Sequence, residues 1–104
     1  MYHLNEYQVK AAEFRLPSAG PEYAMKGLVG EVGELFSLLA KAERDGRKFD
    51  HELNIKKELG DILWFVAAIA ADNGYELEEI AMSNINKLEA RKAKGTLQGS
   101  GDER

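Results

Sequence analysis

The spacing of apolar and polar residues predicts a chain made of helices. Apolar residues recur three and four positions apart through most of the sequence, and no segment keeps the strict alternation of a half-buried strand. On the first helix this spacing predicts an apolar side with Val9, Ala12 and Leu16. The predicted helices cover about residues 4–16, 22–45, 51–73 and 77–93.

Turn-forming residues separate these segments. Pro21 suits the first turn of the second helix, and Gly46 and Gly74 suit the ends of the second and third helices. Asp50 is the predicted N-cap of the third helix. The connection 46–51 is short, so the second and third helices should be antiparallel neighbours. The predicted fold class is all-α, with four helices in a hairpin-like bundle.

Composition limits what such a bundle does. The 104 residues suffice for one domain, which we place at 1–93, followed by a polar, glycine-rich tail at 94–104. With no cysteine, the chain has no thiolate nucleophile, and a reducing compartment such as the cytoplasm fits. A net charge of −4 gives little attraction for nucleic acid polymers. The longest apolar run, Ile62–Ala71, has ten residues, so we expect no membrane partner.

Two short stretches place paired acids among apolar residues. EVGELFSL carries Glu31 and Glu34, and ELGDILWF carries Glu58 and Asp61. At about 100° per residue, the acids of a pair lie about 60° apart and share a face with the apolar stripe of their helix. Acidic side chains are rarely buried unless they are paired or bound to a metal. The two stretches therefore mark a candidate site.

A glycine lies between the two acids of each stretch, at Gly33 and Gly60. Glycine inside a helix costs about 1 kcal/mol relative to alanine. Because both motifs carry this cost at the same position, we predict that helix backbones approach closely there. The shared plan also looks like an internal repeat, in which two antiparallel helices bring the four acids to one level.

Four facing carboxylates repel one another unless some are protonated or a cation lies among them. Magnesium is commonly held by a few carboxylates together with substrate phosphates. We therefore interpret the four acids as a site for one or more Mg²⁺ or Mn²⁺ ions. The alternative is that they lie at the edge of the stripe and form ion pairs with Lys26, Lys56 or Lys57.

At these residues the sequence resembles the MazG-like, all-α nucleoside triphosphate pyrophosphohydrolases. The family motif is ExxE followed, after a spacer, by ExxD, and the four acids match it with the spacer 35–57. The surrounding GLVGEVGEL and KKELGDILWFV are similar to the family's sequences. The segment NINKLEAR at 84–91 resembles its N-x-x-K-L-x-x-R segment. The resemblance covers about residues 22–91.

The resemblance implies hydrolysis of a nucleoside triphosphate to the monophosphate and pyrophosphate. It implies that Glu31, Glu34, Glu58 and Asp61 are the catalytic residues and the ligands of Mg²⁺, with Mn²⁺ as a possible substitute. One of the four, which the sequence does not single out, would instead orient or deprotonate the attacking water. Such enzymes act inside bacterial cells or phage-infected hosts, so the resemblance implies a cytoplasmic location.

The resemblance also implies a substrate-binding helix. Lys87 and Arg91 are four residues apart and share a helical face. They would hold phosphate oxygens, and Asn84, three residues earlier, would bind the phosphates or the sugar. The alternative is a solvated basic face, which is favourable near the C-terminus of a helix.

The third helix predicts an oligomer. Its run Ile62–Ala71 is apolar around most of the circumference, and one small bundle has too few elements to cover it. We expect a homodimer or a dimer of dimers, which the resemblance also implies. Trp64 lies about 120° from Glu58 on the helix, so we expect it in the core or at a subunit interface rather than as a base-stacking platform.

Three rival functions stay open at this point. The first is a related hydrolase that acts on deoxyuridine nucleotides or on phosphoribosyl-ATP, with the same acidic architecture. The second is a helical module that binds a metal or nucleotide without turnover. The third is a structural bundle whose acids form salt bridges. The base and sugar preference, the number of metal ions and the physiological pathway are not encoded in any motif that we recognise.

Overall fold

The computed structural model describes residues 2–46 and 51–104, with residues 51–53 described by their backbone alone. This part of the chain contains four α-helices and no strand. The predicted all-α class is confirmed. The helices are α1 (Leu4–Ala12), α2 (Pro21–Asp45), α3 (His51–Asp72) and α4 (Leu77–Lys94).

Most helix ends lie where the turn-forming residues predicted them. Gly46 follows α2 with a φ of 81°, and Gly74 follows α3 with a φ of 77°. The predicted N-cap Asp50 lies outside the described residues. The first helix is shorter than predicted, since it ends at Ala12 instead of Leu16. Leu16 directly precedes a proline, and that position disfavours helical backbone.

Helices α2 and α3 form an antiparallel hairpin that holds the main core. Early residues of α2 meet late residues of α3, since Ala24 shares a buried cluster with Phe65 and Ala68. Further along α2, Glu31 approaches Glu58. The predicted apolar stripe of α2 is half-buried, as shown by Leu28, Leu35 and Leu38.

The tightest approach within this hairpin lies at Gly27, not at the glycines of the acid motifs. A Cβ atom on Gly27 would collide with the ring of Phe65. A Cβ atom on Gly33 or Gly60 would meet no heavy atom within 4 Å. The prediction for Gly33 and Gly60 was wrong within the single chain because both lie about 200° around the helix from the first acid of their motif. They therefore lie on the outer sides of α2 and α3, away from the contact between the two helices.

Helix α1 packs on α3 with a different side from the predicted apolar side. Val9 is 70% exposed and Leu16 is 69% exposed, and Ala12 is exposed as well. Ala11, one position earlier, is buried. The contact side of α1 includes a polar residue, Gln8, which a search for apolar positions passes over.

Gln8 fastens α1 to the junction between α3 and α4. Its Nε2 amide donates to the carbonyl oxygens of Ala67, at 3.2 Å, and Tyr75, at 3.0 Å. Its Oε1 atom accepts from the backbone N–H of Leu77 at 3.0 Å. Helix α4 accordingly packs mainly against α1.

Trp64 belongs to the packing between α1 and α3, as predicted. It is half-buried, and its ring meets Phe65 edge-on at a centroid distance of 5.1 Å and an interplanar angle of 89°. Its Nε1–H donates to the carbonyl oxygen of Ala11 at 3.0 Å. An indole nitrogen that is already bonded to the backbone holds the ring in place.

The buried core of the chain is small and rich in alanine. Larger apolar side chains stay exposed on the outer sides of α2 and α3. These exposed side chains include Met25, Val29, Phe36, Leu59 and Leu63.

No helix within residues 2–46 and 51–104 combines the length and the apolar character that a bilayer span needs.

Candidate metal centre

Helices α2 and α3 bring three of the four predicted acids together. Glu31 comes from α2, and Glu58 and Asp61 come from successive turns of α3. One carboxylate oxygen from each lies within 4.8 Å of the other two. The antiparallel hairpin produces this meeting, because it sets the middle of α2 beside the first half of α3.

One oxygen of this cluster lacks a donor. Glu58 Oε2 is buried and has no hydrogen-bond partner among the described residues. A buried carboxylate oxygen without a donor is costly unless a proton or a cation satisfies it. The atom lies beside two further carboxylates, so the cluster has the donor set and the electrostatic need that suit a hard cation.

The charges of the cluster act on Glu31. Burial, then a side-chain hydrogen bond with Glu58, raise the pKa of Glu31 above its ordinary value of 4.5. The negative charges of Asp61, Glu58 and Glu34 raise this pKa further. The environment thus disfavours the ionised form of Glu31, and a bound cation would reverse that preference.

The spacing of the oxygens fits a small divalent ion. Two oxygens on opposite sides of Mg²⁺ lie about 4.2 Å apart, which is twice the usual 2.1 Å bond. The three oxygens within 4.8 Å are therefore close to this limit and sit on side chains with rotatable torsions. Glu31, Glu58 and Asp61 would hold the ion, and substrate oxygens and water would complete its coordination.

Glu34 is placed differently from the other three acids. It is exposed, and its oxygens are outside the 4.8 Å group. The expectation that both acids of the first motif lie within the stripe was wrong for Glu34, because a position about 60° from Glu31 falls at the edge of the face. Asp61 is exposed too, although its carboxylate belongs to the group. The charge of Glu34 still acts on Glu31.

The alternative of structural ion pairs has no support in the described part of the chain. Lys26, Lys56 and Lys57 are all exposed, and none forms a salt bridge with the acids. The acids of the cluster are thus not neutralised by the lysines that neighbour them in sequence.

The charge of Asp61 in this cluster acts on Tyr7 of α1, which sequence reasoning did not anticipate. Burial, and then the negative charge of Asp61, raise the pKa of Tyr7 above its ordinary value of 10.0. The residue also packs against the buried cluster of Ala67, Ala70 and Leu77. No motif carries Tyr7, so its position follows only from the docking of α1 on α3.

The predicted phosphate-binding residues lie on α4, apart from the acids. Asn84 and Lys87 border an open groove that also contains Tyr75 and Ser83. Lys87 and Arg91 both pair with Asp102 of the tail, not with the acid cluster. Within one chain, the structure does not bring Asn84, Lys87 and Arg91 together with the carboxylates, since α4 packs on α1.

Comparisons with known proteins agree with this architecture. The model of the MazG nucleotide pyrophosphohydrolase domain matches residues 19–96, which include the four acids and the three polar residues of α4. The chain is also similar to the Gene 37 protein of Mycobacterium phage L5, with 36% identity over 113 residues that cover 98% of this chain and 99% of that protein. No solved structure matches the chain. The three-carboxylate cluster thus lies inside the matched region, and the chain belongs to the MazG nucleotide pyrophosphohydrolase family.

Proposed function

We propose that this protein is a Mg²⁺-dependent nucleoside triphosphate pyrophosphohydrolase, which converts a ribo- or deoxyribonucleoside triphosphate and water to the monophosphate and pyrophosphate. The observation that carries the proposal is the meeting of Glu31, Glu58 and Asp61 around a buried carboxylate oxygen that lacks a donor. Membership of the family supports the same reaction.

The acids have distinct parts in this proposal. Glu31, Glu58 and Asp61 hold the metal, which when bound supplies charge neutralisation at the phosphates and acidifies a water molecule. Glu34 is exposed beside them and joins the ligand set by a change of side-chain torsion, or accepts the proton of the attacking water. The raised pKa of Glu31 means that the metal-free cluster disfavours its ionised form, and a bound cation would favour that form.

Helix α4 has the part of the phosphate-binding helix. Lys87 and Arg91 bind phosphate oxygens, and Asn84 binds the phosphates or the sugar. Because α4 packs on α1 and not on the acid cluster of its own chain, the completed site requires α4 to close on the hairpin or a second copy to supply it.

A second copy is also the proposed cover for the exposed apolar surface. The radius of gyration is 16.6 Å, whereas a compact chain of this length has about 13 Å. Val29 is 73% exposed and Phe36 is 67% exposed on the outer side of α2, and Gly33 lies between them on that side. A homodimer, or a dimer of dimers, would bury this side. A monomer at micromolar concentration by light scattering would contradict it.

The experiment that tests the function is pyrophosphate release from a panel of ribo-, deoxyribo- and modified nucleoside triphosphates, with deoxyuridine triphosphate and phosphoribosyl-ATP included. Release should require Mg²⁺ and should be lost in Glu58→Gln. Glu43→Gln is the matched control, because Glu43 is an exposed acid of α2 away from the cluster. No release from any substrate by folded, Mg²⁺-binding protein would favour a binding module instead.

Where the protein acts follows from this substrate class. We place it in the cytoplasm of a bacterial cell or of a phage-infected host, where free nucleoside triphosphates are found; the similarity to a mycobacteriophage protein agrees with the second setting. Neither nucleic acid polymer nor membrane has a part in the proposed reaction.

A further inference from the structure

The last residues of the chain fold back on the end of α4 and form a closed turn. Gly95 ends α4 with a φ of 74°, and Gly99 and Gly101 bend the backbone with φ of 111° and 87°. The Arg104 guanidinium then closes the turn by donating to the carbonyl oxygens of Thr96, Leu97 and Gly101, at 3.1, 3.0 and 2.6 Å. We call residues 96–104 the strap.

The strap places one carboxylate on both cations of α4. Asp102 Oδ1 accepts from Lys87 Nζ at 3.4 Å and from the Nη2 atom of Arg91 at 3.3 Å. The same Arg91 nitrogen donates to the backbone carbonyl oxygens of Asp102, at 2.9 Å, and Gly101, at 3.4 Å. The hydrogen bond from Lys87, and then that from Arg91, lower the pKa of Asp102, so its carboxyl group is ionised at neutral pH.

The strap does not satisfy Arg91 fully. The Arg91 side chain is 7% exposed, yet its Nε atom is buried without a hydrogen-bond partner. Arginine binds carboxylates and phosphates best through two parallel hydrogen bonds, and Asp102 uses a single arginine nitrogen. A phosphate group has more oxygens than a carboxylate, and can therefore contact Lys87, Nη2 and Nε of Arg91 together.

We propose that Asp102 is a built-in competitor at an anion site formed by Lys87 and Arg91, and that the phosphate groups of a nucleotide displace the strap from this site. The inference rests on the proposed function, because that function brings phosphates to α4. The strap lies almost entirely beyond the residues 19–96 that the family model matches.

Displacement has a quantitative consequence. When the strap occupies the site for most of the time, the apparent affinity for an anion falls by the fraction of molecules in which the site is free. Weakening the strap should therefore tighten anion binding without adding any contact to the anion.

The binding experiment uses tripolyphosphate without divalent ions, titrated into the full-length protein in a calorimeter. Asp102→Asn should bind it about three- to tenfold more tightly than wild type. Glu103→Gln removes the same charge from the next residue, which forms no salt bridge within the described residues, and should change the affinity less than twofold. Equal affinities for the two variants, or no binding to any of the proteins, would overturn the proposal.

A second variant weakens the strap without changing any charge. Gly101→Ala puts a side chain at a φ of 87°, which strains the turn, and lies outside the helical core. It should tighten tripolyphosphate binding in the same direction as Asp102→Asn. In ¹⁵N NMR of the wild type, saturating tripolyphosphate should lower the heteronuclear NOE of the Gly99 and Gly101 amides. An unchanged NOE at saturation would show that the strap stays in place and would refute displacement.

These readouts separate the strap from the reaction. Tripolyphosphate binding and NMR need no turnover, so a released strap in a protein that hydrolyses no nucleotide refutes the proposed function alone. If nucleotides are hydrolysed but Asp102→Asn and Glu103→Gln show the same KM, the strap proposal fails while the proposed function stands.

Discussion

Gly27 of α2 lies against the ring of Phe65 of α3 so closely that no side-chain atom fits between them. This contact, together with the neighbouring Ala24 and Ala68, sets the distance between the two helices that carry the acids. The geometry of the carboxylate cluster therefore depends on a residue that has no chemistry of its own.

The first prediction concerns this contact. Gly27→Ala should lower the free energy of unfolding by up to about 2 kcal/mol, because overpacking costs about 1–3 kcal/mol and the better helix propensity of alanine offsets about 1 kcal/mol. Gly30→Ala is the control on the same helix, where a Cβ meets nothing within 4 Å. It should stabilise the protein by up to about 1 kcal/mol. Urea unfolding curves measure both; a Gly27→Ala protein as stable as Gly30→Ala would contradict the contact.

The second prediction concerns Glu31 and pH. Its pKa in the folded protein is raised, first by burial, so the folded state holds a proton that the unfolded state has released. In metal-free buffer, the free energy of unfolding should therefore fall as pH rises from the ordinary value of 4.5 through the raised pKa of Glu31. Glu31→Gln should lose this part of the pH dependence, whereas the exposed-acid control Glu43→Gln should keep it.

Mg²⁺ should offset this loss of stability near neutral pH. A ligand that binds the folded state stabilises it by mass action, so the melting temperature of the wild type should rise with Mg²⁺ concentration. The same addition should leave Glu58→Gln almost unchanged. Thermal unfolding followed by circular dichroism decides this; equal Mg²⁺ shifts in Glu58→Gln and wild type would place the metal elsewhere.

The third prediction uses Tyr7 as a reporter of the metal. Burial is the main cause of its raised pKa, and the charge of Asp61 is the second. Mg²⁺ binding, or Asp61→Asn without metal, should therefore lower the pKa of Tyr7 towards its ordinary value. NMR titration of ¹³C-labelled tyrosine measures it. Asp45→Asn removes an equal charge on α2, about 20 Å along the helix from Glu31, and should have no effect.

The fourth prediction concerns Gln8. Gln8→Ala removes three hydrogen bonds at the junction of α1, α3 and α4 and should lower the free energy of unfolding by about 2–3 kcal/mol. Gln98→Ala changes the same residue type at an exposed site of the tail and should have little effect. Denaturant unfolding compares the two variants, and equal stabilities would mean that water replaces the Gln8 bonds without loss.

The sequence predicted the parts of this molecule that local rules determine. The helix period located the four helices, and the turn glycines located the ends of α2 and α3. The acid motifs identified Glu31, Glu58 and Asp61, because an antiparallel hairpin brings residues of matched motifs to one level. Each of these inferences needs only neighbours in sequence and the geometry of a helix.

The remaining features depend on which helix faces which. A glycine that admits an aromatic ring, as Gly27 admits Phe65, looks the same in sequence as a glycine in open space, such as Gly33. The acid motif did not reveal that Glu34 lies at the exposed edge. The contact side of α1 is defined by the hydrogen bonds of Gln8, and polar residues carry no periodic signal. Asp102 meets Arg91 through turns in a tail that composition alone describes as flexible.

The bonds of Gln8 also imply an order of folding. They join residues that are 59, 67 and 69 positions apart in sequence, whereas the α2–α3 hairpin joins helices that are consecutive. Closing a long loop costs more chain entropy, so contacts between residues far apart in sequence form late. As the chain leaves the ribosome, α1 therefore emerges first, but the surface on which it docks is complete only after α3 and the start of α4 have been synthesised. The segment made earliest completes the fold last.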